Sequence, residues 1–323
     1  MLEHGGQLNA AATHYAIPLE NWLDLSTGIN PNGWSVPELS ATAWARLPEI
    51  NDGLEQAAQA YYATSHLLPA AGSQAIIQAL PSLRSPCRVG VPDIGYAEHA
   101  HAWQQAGHEI QTNLDVKQLD VLIVINPNNP TGQCYSIETL LKWQQQLSRK
   151  GGWLIVDEAF MDVTPNNSLM PYSPLPGLII LRSLGKFFGL AGARVGFAAA
   201  EMKILDLLGE YLGPWTLTGP SREIAKQALQ DQKWQQQTRI QLKQASLRLY
   251  NLLSQHGLKP DGGTALFQWV RTSEAEIIQD SLARQGILVR LFKHSLRFGL
   301  PKHQWDRLDR TLCQLNKQQE IHK

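Results

Sequence analysis

The sequence predicts an α/β protein: a large domain built on a mostly parallel sheet, followed by a smaller α+β domain. Three observations carry that expectation. Short runs rich in Val and Ile alternate with helix-like segments, the pattern changes after about residue 215, and a proline-punctuated opening precedes both regions. At 323 residues the chain has room for about two domains. Its 43% hydrophobic content is that of a packed core and not of a disordered chain.

Residues 1–40, with Pro18, Pro31 and Pro37, read as an N-terminal arm. Residues 41–215 form the large domain. Within it the runs 88–91, 121–125, 153–156, 178–181 and 195–198 are apolar on both faces, as strands buried between helix layers are. Between them lie helix candidates at 72–80, 96–106 and 136–150, the last with Ser136 as N-cap and Gly151 as C-cap. Strand, helix, strand in repetition means parallel pairing with both sheet faces covered. Residues 216–323, joined by the arm, make the smaller domain. There 220–256 reads as one long helix ended by Gly257. Strand-like pieces follow at 265–270, 287–289 and 296–298, with helices at 273–285 and 301–315.

Composition narrows the function classes. Lys plus Arg and Asp plus Glu both number 28, so no bulk charge draws the chain to nucleic acid or to an anionic membrane. No apolar run approaches the roughly 18 residues needed to span a bilayer. The opening residues lack a basic segment followed by an apolar one, so no secretory signal is expected. Cys87, Cys134 and Cys313 form no closely spaced pair and read as the reduced thiols of a cytoplasmic protein. His99 and His101 stand two apart on a predicted helix and do not share a face, so no metal site is expected.

The chemistry concentrates in 182–197, Arg-Ser-Leu-Gly-Lys-Phe-Phe-Gly-Leu-Ala-Gly-Ala-Arg-Val-Gly-Phe, which follows a buried strand. Burial disfavours an ammonium ion, and a lysine amine that loses its proton can form an imine with an aldehyde. Ser183 and Arg194 offer a hydroxyl and a forked cation suited to a phosphate dianion. On its own, however, a serine three residues before a lysine is more often a surface loop. Two further segments reverse that weighting. Asp157, in Val-Asp-Glu-Ala-Phe, ends a buried strand, where α/β proteins place ligands, and can pair with a protonated ring nitrogen. Asn129, in Asn-Pro-Asn-Asn-Pro-Thr-Gly, follows another strand.

These three segments, in this order, resemble fold-type I pyridoxal-phosphate enzymes of the aspartate-aminotransferase superfamily. The resemblance covers essentially the whole chain and implies pyridoxal 5'-phosphate as cofactor. It makes Lys186 the Schiff-base lysine, Asp157 the partner of the pyridine nitrogen and Asn129 a ligand of the ring oxygen. Gly72, Ser73 and Gln74 then cradle the phosphate at a helix N-terminus, with Ser183 and Arg194 as its other ligands. Tyr96 stands where the family stacks an aromatic ring on the pyridine. Arg297 occupies the place of the arginine that clamps the substrate α-carboxylate, and Arg290 that of an arginine for a substrate phosphate.

Within the superfamily the chain most resembles the L-threonine-O-3-phosphate decarboxylases of cobalamin biosynthesis. Glu3-His4-Gly5-Gly6, the segment from Asp24 through Ser26 to Ile29-Asn30-Pro31, and Phe160 after Asp-Glu-Ala carry the likeness. It implies His4 and Asn30 near the substrate phosphate, a phosphorylated amino acid as substrate, and a homodimer with no nucleic-acid or membrane partner. The alternatives are an aminotransferase acting on a phosphorylated substrate such as histidinol phosphate, or a pyridoxal-phosphate-binding regulator without turnover. Two positions depart from the wider pattern. Leu47 stands where relatives often carry a tyrosine contributed across the dimer, and Phe160 stands where aminotransferases carry tyrosine.

Overall fold

The computed structural model describes residues 4–112 and 114–321. Among them twelve strands run in chain order: β1 (Leu23–Leu25), β2 (Leu67–Ala70), β3 (Arg88–Gly90), β4 (Glu109–Gln111), β5 (Val121–Ile125), β6 (Trp153–Asp157), β7 (Leu178–Ser183), β8 (Gly196–Ala199), β9 (Gly262–Thr264), β10 (Phe267–Arg271), β11 (Ile287–Phe292) and β12 (Ser295–Gly299). The chain divides into two compact units. The larger comprises 33–129 and 133–237, and the smaller comprises 1–32, 130–132 and 238–323.

In the larger unit seven strands lie in the order β2-β8-β7-β6-β5-β3-β4. β4, β3, β5, β6 and β7 are parallel, while β8 runs antiparallel to both β7 and β2. Every residue of β5 and β7 is buried, which is why these strands show no polar alternation. On one face Val121, Ile123, Ile155, Ile179 and Leu181 pack with Ile76, Ile77, Trp103, Ile204, Leu205 and Leu208 from three helices. Each such side chain contributes about 1.5–3 kcal/mol by leaving water. The parallel strands end together: Ile125 is in register with Asp157, and Asp157 with Leu181. Loops following these ends therefore converge.

The long helix expected over 220–256 is two helices, Gly219–Gln230 and Gln232–Gln255, interrupted at Asp231. Asp231 leaves helical geometry (φ −82°, ψ 73°), and its Oδ1 accepts from Trp234 N at 3.0 Å, capping the second helix. Its other oxygen, Oδ2, accepts from Trp34 Nε1 at 3.1 Å. A tertiary partner thus fixes a break that local composition does not announce. Residues 216–237, grouped by sequence with the smaller domain, lie in the larger unit. There Arg222 donates to both carboxylate oxygens of Asp52 at 2.7 and 2.8 Å and to Glu55 at 2.7 Å. Ser136 caps its helix as expected, accepting from Thr139 N at 3.2 Å.

The smaller unit has a five-stranded sheet in the order β1-β11-β12-β10-β9. Its edge strand comes from the N-terminal arm: Leu23, Asp24 and Leu25 pair in parallel with Ile287, Leu288 and Val289. β10, β11 and β12 form the antiparallel remainder with β9.

Candidate active site

Around the carboxyl ends of β5, β6 and β7, the larger unit gathers most of the cofactor-binding residues expected from the sequence. Asp157, the last residue of β6, is buried. Its Oδ1 accepts from Ala159 N at 3.0 Å, and its Oδ2 lies 2.9 Å from His99 Nε2. Ser183 ends β7, and its hydroxyl accepts from Gly185 N at 3.3 Å. Lys186 follows in a tight turn, half-buried, with Nζ 5.7 Å from the centroid of the Phe160 ring. Asn129, half-buried, lies beyond the Asn126–Pro127 cis peptide after β5.

The cradle is assembled from close approaches that only glycine permits. Gly72 opens the helix Gly72–Ala79 at φ 76°, and a Cβ there would stand 2.7 Å from Arg194 Nη2. A Cβ on Gly196, the residue paired with Ser183, would stand 2.4 Å from Ser73 N. The backbone N–H groups of a helix start, a guanidinium and a strand-end hydroxyl therefore belong to one neighbourhood, whose donors suit a phosphate. Gln74 joins them through its side chain. Its Oε1 accepts from Tyr96 OH at 3.0 Å, and its Nε2 donates to Glu98 Oε2 at 2.8 Å. Burial, then the charges of Glu98 and Asp157, push the Tyr96 phenol up to about 12.

Two features escaped the sequence reading. His99, dismissed above as a metal ligand, is the buried partner of Asp157, and its ring meets that of Tyr96 edge-on at 6.2 Å. Tyr96 and His99 stand three apart at a helix start, a spacing that puts them on one face, but nothing in that spacing points to an aspartate far along the chain. The second feature is a buried ion cluster behind the strand ends. Arg182 Nη1 donates to Glu158 Oε2 at 2.8 Å, and its Nη2 to Asp162 Oδ1 at 2.5 Å. Leu169 N and Ser168 Oγ donate to Glu158, while Tyr61 OH donates to Asp162. Burial pushes the Glu158 carboxyl up, opposed by the Arg182 charge. Since Glu158 follows Asp157 and Arg182 precedes Ser183, the cluster ties two site-bearing strand ends together.

The smaller unit holds the other expected residues. Arg297 on β12 is cross-strand from Arg290 on β11. It is 6% exposed, and its Nη2 donates to the Ser26 carbonyl at 2.5 Å. Burial, with the Arg290 charge second, lowers its guanidinium to about 10. Arg290 packs over the Phe292 ring at 5.2 Å. Ser26 is also bound by Gly6 N, which donates to its hydroxyl at 2.7 Å, so the start of the arm is folded onto the same segment. Asn30 is buried, with Oδ1 accepting from Asn32 N at 2.9 Å, while His4 is exposed.

A family model, aminotransferase class I and II, matches residues 21–314. The chain belongs to that family. Among curated relatives of this aminotransferase family, a threonine-phosphate decarboxylase from Pseudomonas aeruginosa is 55% identical over 97% of each chain. One from a Sinorhizobium species is 39% identical over 92% of each. The structure of histidinol-phosphate aminotransferase from Sinorhizobium meliloti in complex with pyridoxal-5'-phosphate superposes with a TM-score of 0.83, covering 98% of this chain and 96% of its own at 20% identity. That last likeness speaks to the shared class I and II fold.

Proposed function

We propose that this protein is a pyridoxal-phosphate-dependent decarboxylase that converts L-threonine O-3-phosphate to (R)-1-amino-2-propanol O-2-phosphate, the aminopropanol linker precursor of cobalamin. The observation that carries the reading is the 55% identity, over 97% of both chains, to a threonine-phosphate decarboxylase. The site chemistry agrees with the cofactor. The glycine-lined approach of Arg194 to the start of the helix Gly72–Ala79 suits a phosphate, and a buried carboxylate suits a protonated pyridine nitrogen.

Pyridoxal phosphate, when bound, supplies an aldehyde for an amine and an electron-withdrawing ring that takes up the electron pair left at Cα. The chain supplies everything else. Gly72, Ser73, Gln74, Ser183 and Arg194 hold the phosphate, Asn129 donates to the ring oxygen, and Tyr96 covers the ring. Asp157, itself held by His99, keeps a proton on the pyridine nitrogen. Lys186 would supply the amine that holds the cofactor's aldehyde. Arg297 takes the substrate carboxylate as a bidentate partner, and Arg290, His4 and Asn30 receive the substrate phosphate. By fixing the substrate carboxylate, Arg297 would set which bond at Cα is presented for cleavage.

We place the enzyme in the cytoplasm as a homodimer. Cys87, Cys134 and Cys313, none of them in a disulfide, support the first. Exposed apolar residues Trp44, Leu47 and Ile50 on the larger unit support the second.

The decisive test is CO2 release from L-threonine O-3-phosphate by purified protein loaded with pyridoxal phosphate, with Lys186→Ala as control. Stoichiometric CO2 and aminopropanol phosphate, abolished by the substitution, are expected. Absence of CO2 from loaded protein, with conversion of the cofactor to its pyridoxamine form on adding histidinol phosphate and no conversion in its absence, would establish the aminotransferase instead.

A further inference from the structure

We propose that Glu98 is a positioning residue for Tyr96, acting through the side-chain amide of Gln74; the inference rests on the cofactor reading above. The three side chains form one chain of hydrogen bonds with a fixed direction. Tyr96 OH lies 3.0 Å from Gln74 Oε1, and Gln74 Nε2 lies 2.8 Å from Glu98 Oε2. A carboxylate only accepts, so it takes the NH2 end of the amide and turns the carbonyl end toward Tyr96. The phenol must then donate. Without the carboxylate the amide is free to flip, present its NH2 to the phenol and convert it from donor to acceptor.

The placement gives this direction a consequence. Gln74 stands in the first turn of Gly72–Ala79, the helix whose start forms the cradle. Tyr96 is the N-cap of Ala97–Gln105, and Glu98 and His99 lie in that helix's first turn. His99 meets the Tyr96 ring edge-on and bonds Asp157. The Gln74–Glu98 pair thus holds the Tyr96 hydroxyl, and His99 meets its ring edge. The negative charge of Glu98 also favours the protonated phenol that the arrangement requires. With the hydroxyl bonded to Gln74, the ring is presented as a fixed plate.

An acidic residue in a first turn also stabilises its helix through the dipole. That role would respond to Glu98→Ala whatever residue stands at 96, and a double-mutant cycle separates the two. Glu98→Ala, Tyr96→Phe and the double variant are loaded with pyridoxal phosphate. The visible circular dichroism of the bound cofactor and its dissociation rate are then read. Each single variant is expected to raise the dissociation rate at least about twofold, the lower edge for coupled residues in one hydrogen-bonded network. The double variant should be no worse than Tyr96→Phe, and Glu98→Gln, which keeps an acceptor for Gln74, should restore the wild-type ellipticity. Additive effects, or a Glu98→Gln variant as impaired as Glu98→Ala, would overturn the proposal. If Glu98→Ala does not fold, Glu98→Met, which removes the same acceptor and keeps helix propensity, takes its place in the cycle with the same expectations. A wild-type protein that develops no visible band would overturn the cofactor reading itself, and this inference with it.

Discussion

Arg297 is an arginine whose burial holds its pKa down to about 10. A cation with a folded-state pKa below its unfolded value burdens stability fully below that pH, and the burden lifts only as pH rises through about 10. The depression corresponds to a few kcal/mol in order of magnitude, set against about 1.5–3 kcal/mol for the charge-assisted bond to the Ser26 carbonyl and the approach of the guanidinium to the Phe267 and Phe292 rings. Cost and compensation being of one order, we expect Arg297→Met to abolish turnover while shifting the melting temperature of the substrate-free protein at pH 7 by only a few degrees; a large fall would show that Arg297 supports the fold. Phe160 poses a second residue-scale question, since its ring lies 5.7 Å from Lys186 Nζ. On the proposed reading, Phe160→Tyr would add a donor for the cofactor's ring oxygen and favour the deprotonated form of its bond to Lys186. The pH at which the bound cofactor's visible band titrates should fall, and a spectrophotometric titration unchanged from wild type would refute this. Lys186 and Asp157 stood out in the sequence because charge beside buried strands is rare and chemically costly, whereas Arg297 was singled out through the family resemblance. His99 did not, because a histidine on a helix carries no sign of its partner.

At the scale of elements, the strand runs were legible because a buried parallel sheet requires apolar residues on both faces. The break at Asp231 was not, since Gln, Lys and Leu continue across it and its cause is Trp34, some two hundred positions upstream. Asp231→Ala removes both the helix cap and the acceptor for Trp34. It should cost about 1–3 kcal/mol in urea denaturation, whereas Asp231→Ser, which keeps a cap, should cost less. Equal costs would mean that the cap contributes nothing measurable. The β1 strand was also missed. Three residues are too short to show periodicity, and its partner lies at the far end of the chain.

For the whole molecule, the two-part organisation was legible from the change of pattern along the chain, but the position of the division was not. Residues 216–237 have the composition of the helix that follows them and are held in the larger unit by the bonds of Arg222 to Asp52 and Glu55. The proposed homodimer belongs to this scale. Ile50 is 75% exposed and Trp44 72%. Ile50→Glu should shift the sedimentation coefficient toward that of a monomer at micromolar concentration, and an unaltered coefficient would remove this surface from the interface. The pairing of Leu23–Leu25 with Ile287–Val289 has a further consequence, in time. At synthesis rates of about 5–20 residues per second, roughly 13–50 s separate the two strands as they are made. The larger unit can close during that interval, whereas the smaller sheet must wait until Ile287–Val289 have been made. Its first strand spends the whole of that time without its partner, so its backbone N–H and C=O groups are left to water until β11 emerges.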